Sequence, residues 1–117
     1  MKNRLIMFLA IVTCGVLFLS NTAPAQDFTV TITNFKYEPK ELTVPVGTTV
    51  TWVNKEGVHT IQGDKGEFRS PNMRGEEKFT FKFDKPGTYA YHCGFHGSAG
   101  GGNMAGKIVV TASKKKG

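Results

Sequence analysis

Four side chains in this sequence have the means to hold a soft metal ion together: His59, Cys93, His96 and Met104. Cys93 offers a thiolate, the two histidines offer imidazole nitrogens, and Met104 offers a weak thioether. Cys93 and His96 are three residues apart, so a turn lets both face one centre. Taken singly, each has a plainer reading. A lone cysteine is more often an inert buried thiol, an isolated histidine is ordinarily polar surface, and a methionine usually fills core space. Taken together they have the composition of a trigonal His₂Cys site with a long axial Met, the set that suits copper in electron transfer. Thiolate and thioether favour Cu(I), imidazole also accepts Cu(II), and a compromise geometry reduces the rearrangement between the two. Two neighbours are set aside. His92 adjoins Cys93 in an alternating run, so its side chain should point to the opposite face. Met73 lies in a charged, glycine-dotted stretch.

These residues need a frame that brings distant segments to one point. Apolar residues recur at every second position after Gln26: Phe28, Val30 and Ile32; Leu42 and Val44; Val50 and Trp52, with Asn54 on the same face; Phe79, Phe81 and Phe83; Tyr89, Tyr91 and Cys93; and a last run from Ile108 to Val110. Pro45-Val46-Gly47 and Lys85-Pro86-Gly87 are turn sequences between such runs. Period-two runs punctuated by Gly and Pro argue an all-β, antiparallel sandwich with no helical period anywhere. The stretch from Gly63 to Gly75 fits either a loop or a short helical turn. His59 follows one run after a short polar connection, Cys93 closes another, and the last strand starts just after Met104. Strand ends meeting at one pole of a sandwich would place His59 against the Cys93–Met104 segment.

The chain has 117 residues, room for one domain. Lys2 and Arg4 precede an uncharged apolar run from Leu5 to Leu19, and Ala23-Pro24-Ala25 follows as a small-residue cleavage site. That order reads as a secretory signal peptide over 1–25, too short to span a bilayer comfortably. An uncleaved anchor, or a lipoprotein cut before Cys14, are the competing readings. The expected organisation is therefore a signal peptide over 1–25, a binding domain over 26–112 and a lysine-rich tail over 113–117. Removing the signal leaves thirteen basic against nine acidic residues, and Lys114, Lys115 and Lys116 account for most of that excess. The tail reads as a solvated end or as a docking site for an acidic partner or membrane surface. No basic stripe with interleaved aromatics appears, so nucleic acid is a poor candidate partner. Cleavage also removes Cys14 and leaves Cys93 as the only thiol of an exported domain. A single thiol in an oxidising compartment cannot form an internal disulfide and calls for another explanation.

The run Phe79-x-Phe81-x-Phe83-x-x-Pro86-Gly87-Thr88-Tyr89-x-Tyr91-His92-Cys93-x-x-His96 resembles the cupredoxins, the plastocyanin/azurin family, and is most similar to amicyanin- and plastocyanin-like members. Val44-Pro45-x-Gly47-x-x-Val50-x-Trp52-x-Asn54 ahead of His59 and Met104-x-Gly106-Lys107-Ile108-Val109-Val110 match other parts of the same pattern. The resemblance implies a Greek-key β-sandwich with one type 1 copper, His59, Cys93 and His96 as equatorial ligands and Met104 as the axial one. It also implies a monomeric, non-enzymatic carrier of single electrons between redox protein partners. Such a carrier would be exported to the periplasm or the outer face of a bacterium, without firm membrane association after signal cleavage. The chain departs from the pattern in its insert Gly97-Ser98-Ala99-Gly100-Gly101-Gly102-Asn103, longer than the corresponding loops and expected to be flexible. Thr60 stands where plastocyanins often carry asparagine, which gives its hydroxyl a supporting role beside the site.

Rival readings use the same residues differently. A copper carrier or delivery protein of the same fold would keep the ligands but exchange the metal. Structural zinc suits Cys and His, but thioether is a poor zinc ligand. A Cys–His hydrolase built on Cys93 lacks an oxyanion motif and a third orienting group. An immunoglobulin-like adhesion module would explain the sandwich and leave the four ligands unexplained.

Overall fold

The computed structural model describes residues 28–112. The expected signal peptide, Cys14, the cleavage site before Gln26 and the lysine tail lie outside the described residues. Each apolar run of the sequence becomes a strand. In chain order they are β1 Phe28–Thr33, β2 Lys36–Glu38, β3 Glu41–Pro45, β4 Thr48–Asn54, β5 Val58–His59, β6 Gln62–Gly63, β7 Met73–Arg74, β8 Lys78–Phe83, β9 Gly87–Ser98 and β10 Gly102–Thr111. One sheet has the order β2-β1-β4-β8 and the other β3-β10-β9-β6, while β5 and β7 form a small separate ladder.

Alternation decides which side chains turn inward. Val30 and Ile32 of β1, Val50, Trp52 and Asn54 of β4, and Tyr91 and Cys93 of β9 are fully buried, with their neighbours turned outward. Burying a large apolar side chain contributes roughly 1.5–3 kcal/mol, so reversing one strand's register would forfeit several such terms at once. Trp52 is the centre of the core. Its ring lies 5.5 Å from Tyr91, 5.7 Å from Phe79 and 5.9 Å from Phe68, spacings at which aromatic pairs attract.

The expected sandwich is present, but its sheets are mixed and not wholly antiparallel. β1 runs parallel to β4 from Phe28↔Val50 to Ile32↔Asn54, and β10 runs parallel to β3 from Lys107↔Glu41 to Thr111↔Pro45. The physical reason lies in the connections. Between β1 and β4 the chain passes through β3 in the other sheet, and a parallel pair needs such a crossover. This exchange of sheets is the Greek-key habit of sandwiches. The Gly63–Gly75 stretch forms no helix. It carries part of β6, a bridge between Gln62 and Arg69, and β7, and it delivers Phe68 into the core beside Trp52.

The feature that matters most for chemistry is an irregularity between β9 and β10. Their antiparallel pairing runs from Val110↔Gly87 to Ala105↔His92, breaks, and resumes at Asn103↔Gly97 and Ser98↔Gly102. Across the break, Cys93, Gly94, Phe95 and His96 on one strand face Met104 alone on the other. Such a bulge re-aims side chains, and here it turns the Cys-x-x-His segment toward Met104. The insert after His96 is therefore a paired hairpin extension, which corrects the expected flexible loop. Gly97 must lack a side chain for this closure, because a Cβ there would collide with the Met104 carbonyl.

Candidate metal centre

His59 reaches the pole of the sandwich through a set of local ties. β4 ends at Asn54, whose buried side-chain amide donates to the carbonyls of Gly57 (2.8 Å) and Met73 (3.3 Å). Those bonds fix the turn before His59 and the strand beside it, where His59 pairs with Met73. Gly57 has φ +76°, and a Cβ there would sit 2.9 Å from His59 Nε2, so glycine both permits the turn and leaves room for the imidazole. Met73 is buried in the hydrophobic core, and its strand pairs directly with His59.

Thr60 joins this segment to the Cys93 segment. Its hydroxyl accepts the Gly94 amide at 2.7 Å and donates to Gln62 Oε1 at 3.1 Å. Its carbonyl accepts the Tyr37 hydroxyl at 2.6 Å. Burial, and secondarily Cys93, push the Tyr37 phenol far up, so it stays protonated and remains a donor. The supporting role expected of Thr60 is thus a physical bridge between His59 and Cys93.

Three donor atoms converge as a result. Cys93 Sγ lies 3.8 Å from His59 Nδ1 and 3.6 Å from His96 Nδ1, and the two Nδ1 atoms are 3.2 Å apart. A metal at the centre of a trigonal plane with bonds of about 2.1 Å separates its donors by about 3.6 Å. The triangle therefore has the dimensions of a three-coordinate metal plane. Cys93 and His59 are buried while His96 is exposed, so the centre has one accessible edge. Met104 is 3% exposed and lies across the register break from Cys93 and His96. His92 faces away from the triangle, as alternation requires, and its Nδ1 bonds Asp64 Oδ1 at 2.7 Å.

Phe35 belongs to the site, and sequence reasoning did not single it out. It occupies the tip of the β1–β2 hairpin, where Asn34 and Phe35 have φ of 53° and 58°. Both signs suit a two-residue hairpin turn, but a bulky residue is strained where glycine is usual. The strained residue places its ring edge-on to His96 (4.9 Å between centroids) and to His59 (5.7 Å). Glu56 secures the tip by accepting the Asn34 amide and, at 3.2 Å, the Thr33 hydroxyl. Phe35 and Phe95 are 59% and 56% exposed, the two large exposed apolar side chains among the described residues. They flank His96 with Gly57 and Val58. The only available hint in the sequence was an aromatic residue in a turn otherwise suited to Asn-Gly.

Residues 5–110 match the Cupredoxin-like domain family. The chain is 42% identical to an amicyanin of Paracoccus denitrificans over 69% of its own length, a match that spans 63% of that protein. It is 32% identical to amicyanin-alpha of Methylorubrum extorquens, covering 86% of each chain. A plastocyanin of Scenedesmus fuscus is 39% identical over 63% of this chain and 85% of that protein. Among solved structures, an oxidised amicyanin mutant superposes with a TM-score of 0.65 at 35% identity, covering 78% of this chain and 86% of that one. A reduced Cu(I) amicyanin mutant superposes with a TM-score of 0.62 at 37% identity, covering 73% and 82%.

Burial, reinforced by the neighbouring His96, holds His59 below the ordinary histidine value despite an opposing pull from Glu56. In the metal-free protein, unfolded His59 takes up its proton near pH 6.5 and folded His59 only at lower pH. The unfolded state binds more protons in that window, so stability falls as pH drops below about 6.5. Urea unfolding of the metal-free protein should show this fall, and His59→Gln should flatten it; an equal slope in both proteins contradicts the assignment. Phe35→Gly should stabilise the metal-free fold by about 1 kcal/mol through relief of the left-handed strain while speeding copper loss from the loaded protein. Destabilisation would contradict the strain at Phe35, and unchanged copper release would show that the ring does not guard the histidines.

Proposed function

The chain belongs to the cupredoxin-like domain family, and from that premise we propose that it is a type 1 copper protein carrying single electrons between redox proteins. The observation that carries the reading is the donor triangle of His59, Cys93 and His96, with edges of 3.2 to 3.8 Å. In this reading those three residues hold copper in a plane and Met104 supplies the weak axial contact. The thiolate and thioether suit Cu(I) and the imidazoles suit Cu(II), so the metal supplies the one-electron change. The protein's own work is to hold the donors still. Asn54, Thr60 and the β9–β10 break fix each ligand segment from outside the triangle, which keeps the rearrangement between oxidation states small. No substrate bond is made or broken, and the protein is a carrier and not an enzyme.

The exposed edge of His96, between Phe35 and Phe95, is the place where a redox partner makes contact. Residues 26–112 form the mature copper domain, 1–25 direct export and leave, and 113–117 form a basic tail. The charged start, apolar run and Ala-x-Ala site support export to the periplasm or outer face of a bacterium. The mature protein acts as a monomer with redox proteins as its partners.

Cys93→Ser should abolish the intense thiolate-to-Cu(II) absorption while leaving the fold intact by circular dichroism. A variant that stays strongly coloured contradicts the ligand assignment. Electron exchange with a small redox protein should also outpace copper transfer to a metal-free acceptor. The reverse order would make the protein a copper carrier.

A further inference from the structure

The hairpin insert between His96 and Met104 is held down by a residue from a different part of the chain. β9 and β10 stay paired through Gly97↔Asn103 and Ser98↔Gly102, which leaves Ala99, Gly100 and Gly101 as the tip. Asp64 lies beneath that tip. One carboxylate oxygen, Oδ1, accepts from His92 Nδ1 at 2.7 Å, and the other, Oδ2, accepts the Gly100 amide at 2.9 Å. The Asp64 and His92 side chains are each 14% exposed, so water competes weakly for the bond between them. The carboxylate also has a fixed origin. Its own amide donates to the Ala90 carbonyl at 2.9 Å, and Gln62↔His92 and Gly63↔Tyr91 pair β6 to β9 just before it.

The two contacts lie on either side of the ligand segment. His92 immediately precedes Cys93, and Gly100 stands midway between His96 and Met104 in the sequence. One carboxylate therefore closes a ring that contains Cys93, Phe95 and His96, and leaves only a short strand from Gly100 to Met104. We propose that Asp64 is the positioning residue for Met104: it clamps the insert to β9 and thereby sets how Met104 approaches the metal. The unpaired tip of Ala99, Gly100 and Gly101 gains conformational freedom once untied, and a weak axial thioether cannot by itself restrain it. The clamp replaces loop shortness as the means of fixing the fourth donor. The Met104 part of this inference rests on the copper reading above; the clamp itself does not.

The test uses Asp64→Ala, Asp64→Asn and the same changes combined with Met104→Leu. In the metal-free proteins, the Gly100 amide should exchange with solvent at least tenfold faster in Asp64→Ala than in the wild type. Asp64→Asn should fall between, and β4 amides should stay protected in all. In the Cu(II)-loaded proteins, Asp64→Ala should change the ratio of the two thiolate absorption bands and shift the reduction potential. Both changes should vanish in the Met104→Leu background. Unchanged Gly100 exchange overturns the clamp. Faster exchange with an unchanged spectrum, or an equal spectral change without Met104, overturns its action on Met104. A wild-type protein lacking the thiolate band overturns the copper reading and the Met104 role with it, and the metal-free exchange data separate that failure from failure of the clamp.

Discussion

Two imidazole nitrogens and a sulfur held within 3.2 to 3.8 Å of one another are an arrangement that a folded chain does not reach by default. Each donor prefers water or a proton, and burying His59 and Cys93 removes the water. The rest of the structure can be understood as the means of keeping that triangle assembled. The two sheets supply strand ends at one pole, Asn54 fixes the approach of His59, and Thr60 ties that approach to the backbone after Cys93. The aromatic core around Trp52 holds β4, which leads into the His59 segment, against β9, which carries Cys93 and His96.

The register break between β9 and β10 is the second half of the same constraint. A regular ladder would send alternate residues of the Cys93–His96 segment to opposite faces. By setting those residues against Met104 alone, the break lets Cys93 and His96 turn toward one centre. Preorganisation of this kind suits a metal that changes charge without changing ligands. The same logic accounts for Phe35, whose strained turn position is retained where its ring meets both histidines, a cost of the sort that clusters at functional sites. Stability and site protection pull in opposite directions at that residue.

Much of this was legible in the sequence, for reasons that can be named. Period-two burial shows which face of β1, β4, β8 and β9 turns inward, and Cys-x-x-His is a local signal that needs no long-range knowledge. Alternation also placed His92 on the far side of the strand from Cys93. Other features lay outside what periodicity can carry. It reports a strand's face and not its neighbour's direction, so the parallel pairs β1–β4 and β3–β10 were invisible. Two-residue strands such as β5 and β7 are too short to show a period, and Phe68 enters the core from a charged segment. The glycine insert looked mobile because glycine content says nothing of a carboxylate supplied from Asp64, 36 residues from the Gly100 amide it holds.

In the proposed copper protein, His59, Cys93, His96 and Met104 together hold one type 1 copper. Optical and EPR spectra of the Cu(II)-loaded domain over 26–112 test it most directly. An intense thiolate-to-copper absorption, with one copper per chain and an unusually narrow copper hyperfine splitting, is the predicted result. Weak absorption with the wide splitting of ordinary nitrogen- and oxygen-bound Cu(II) would contradict it.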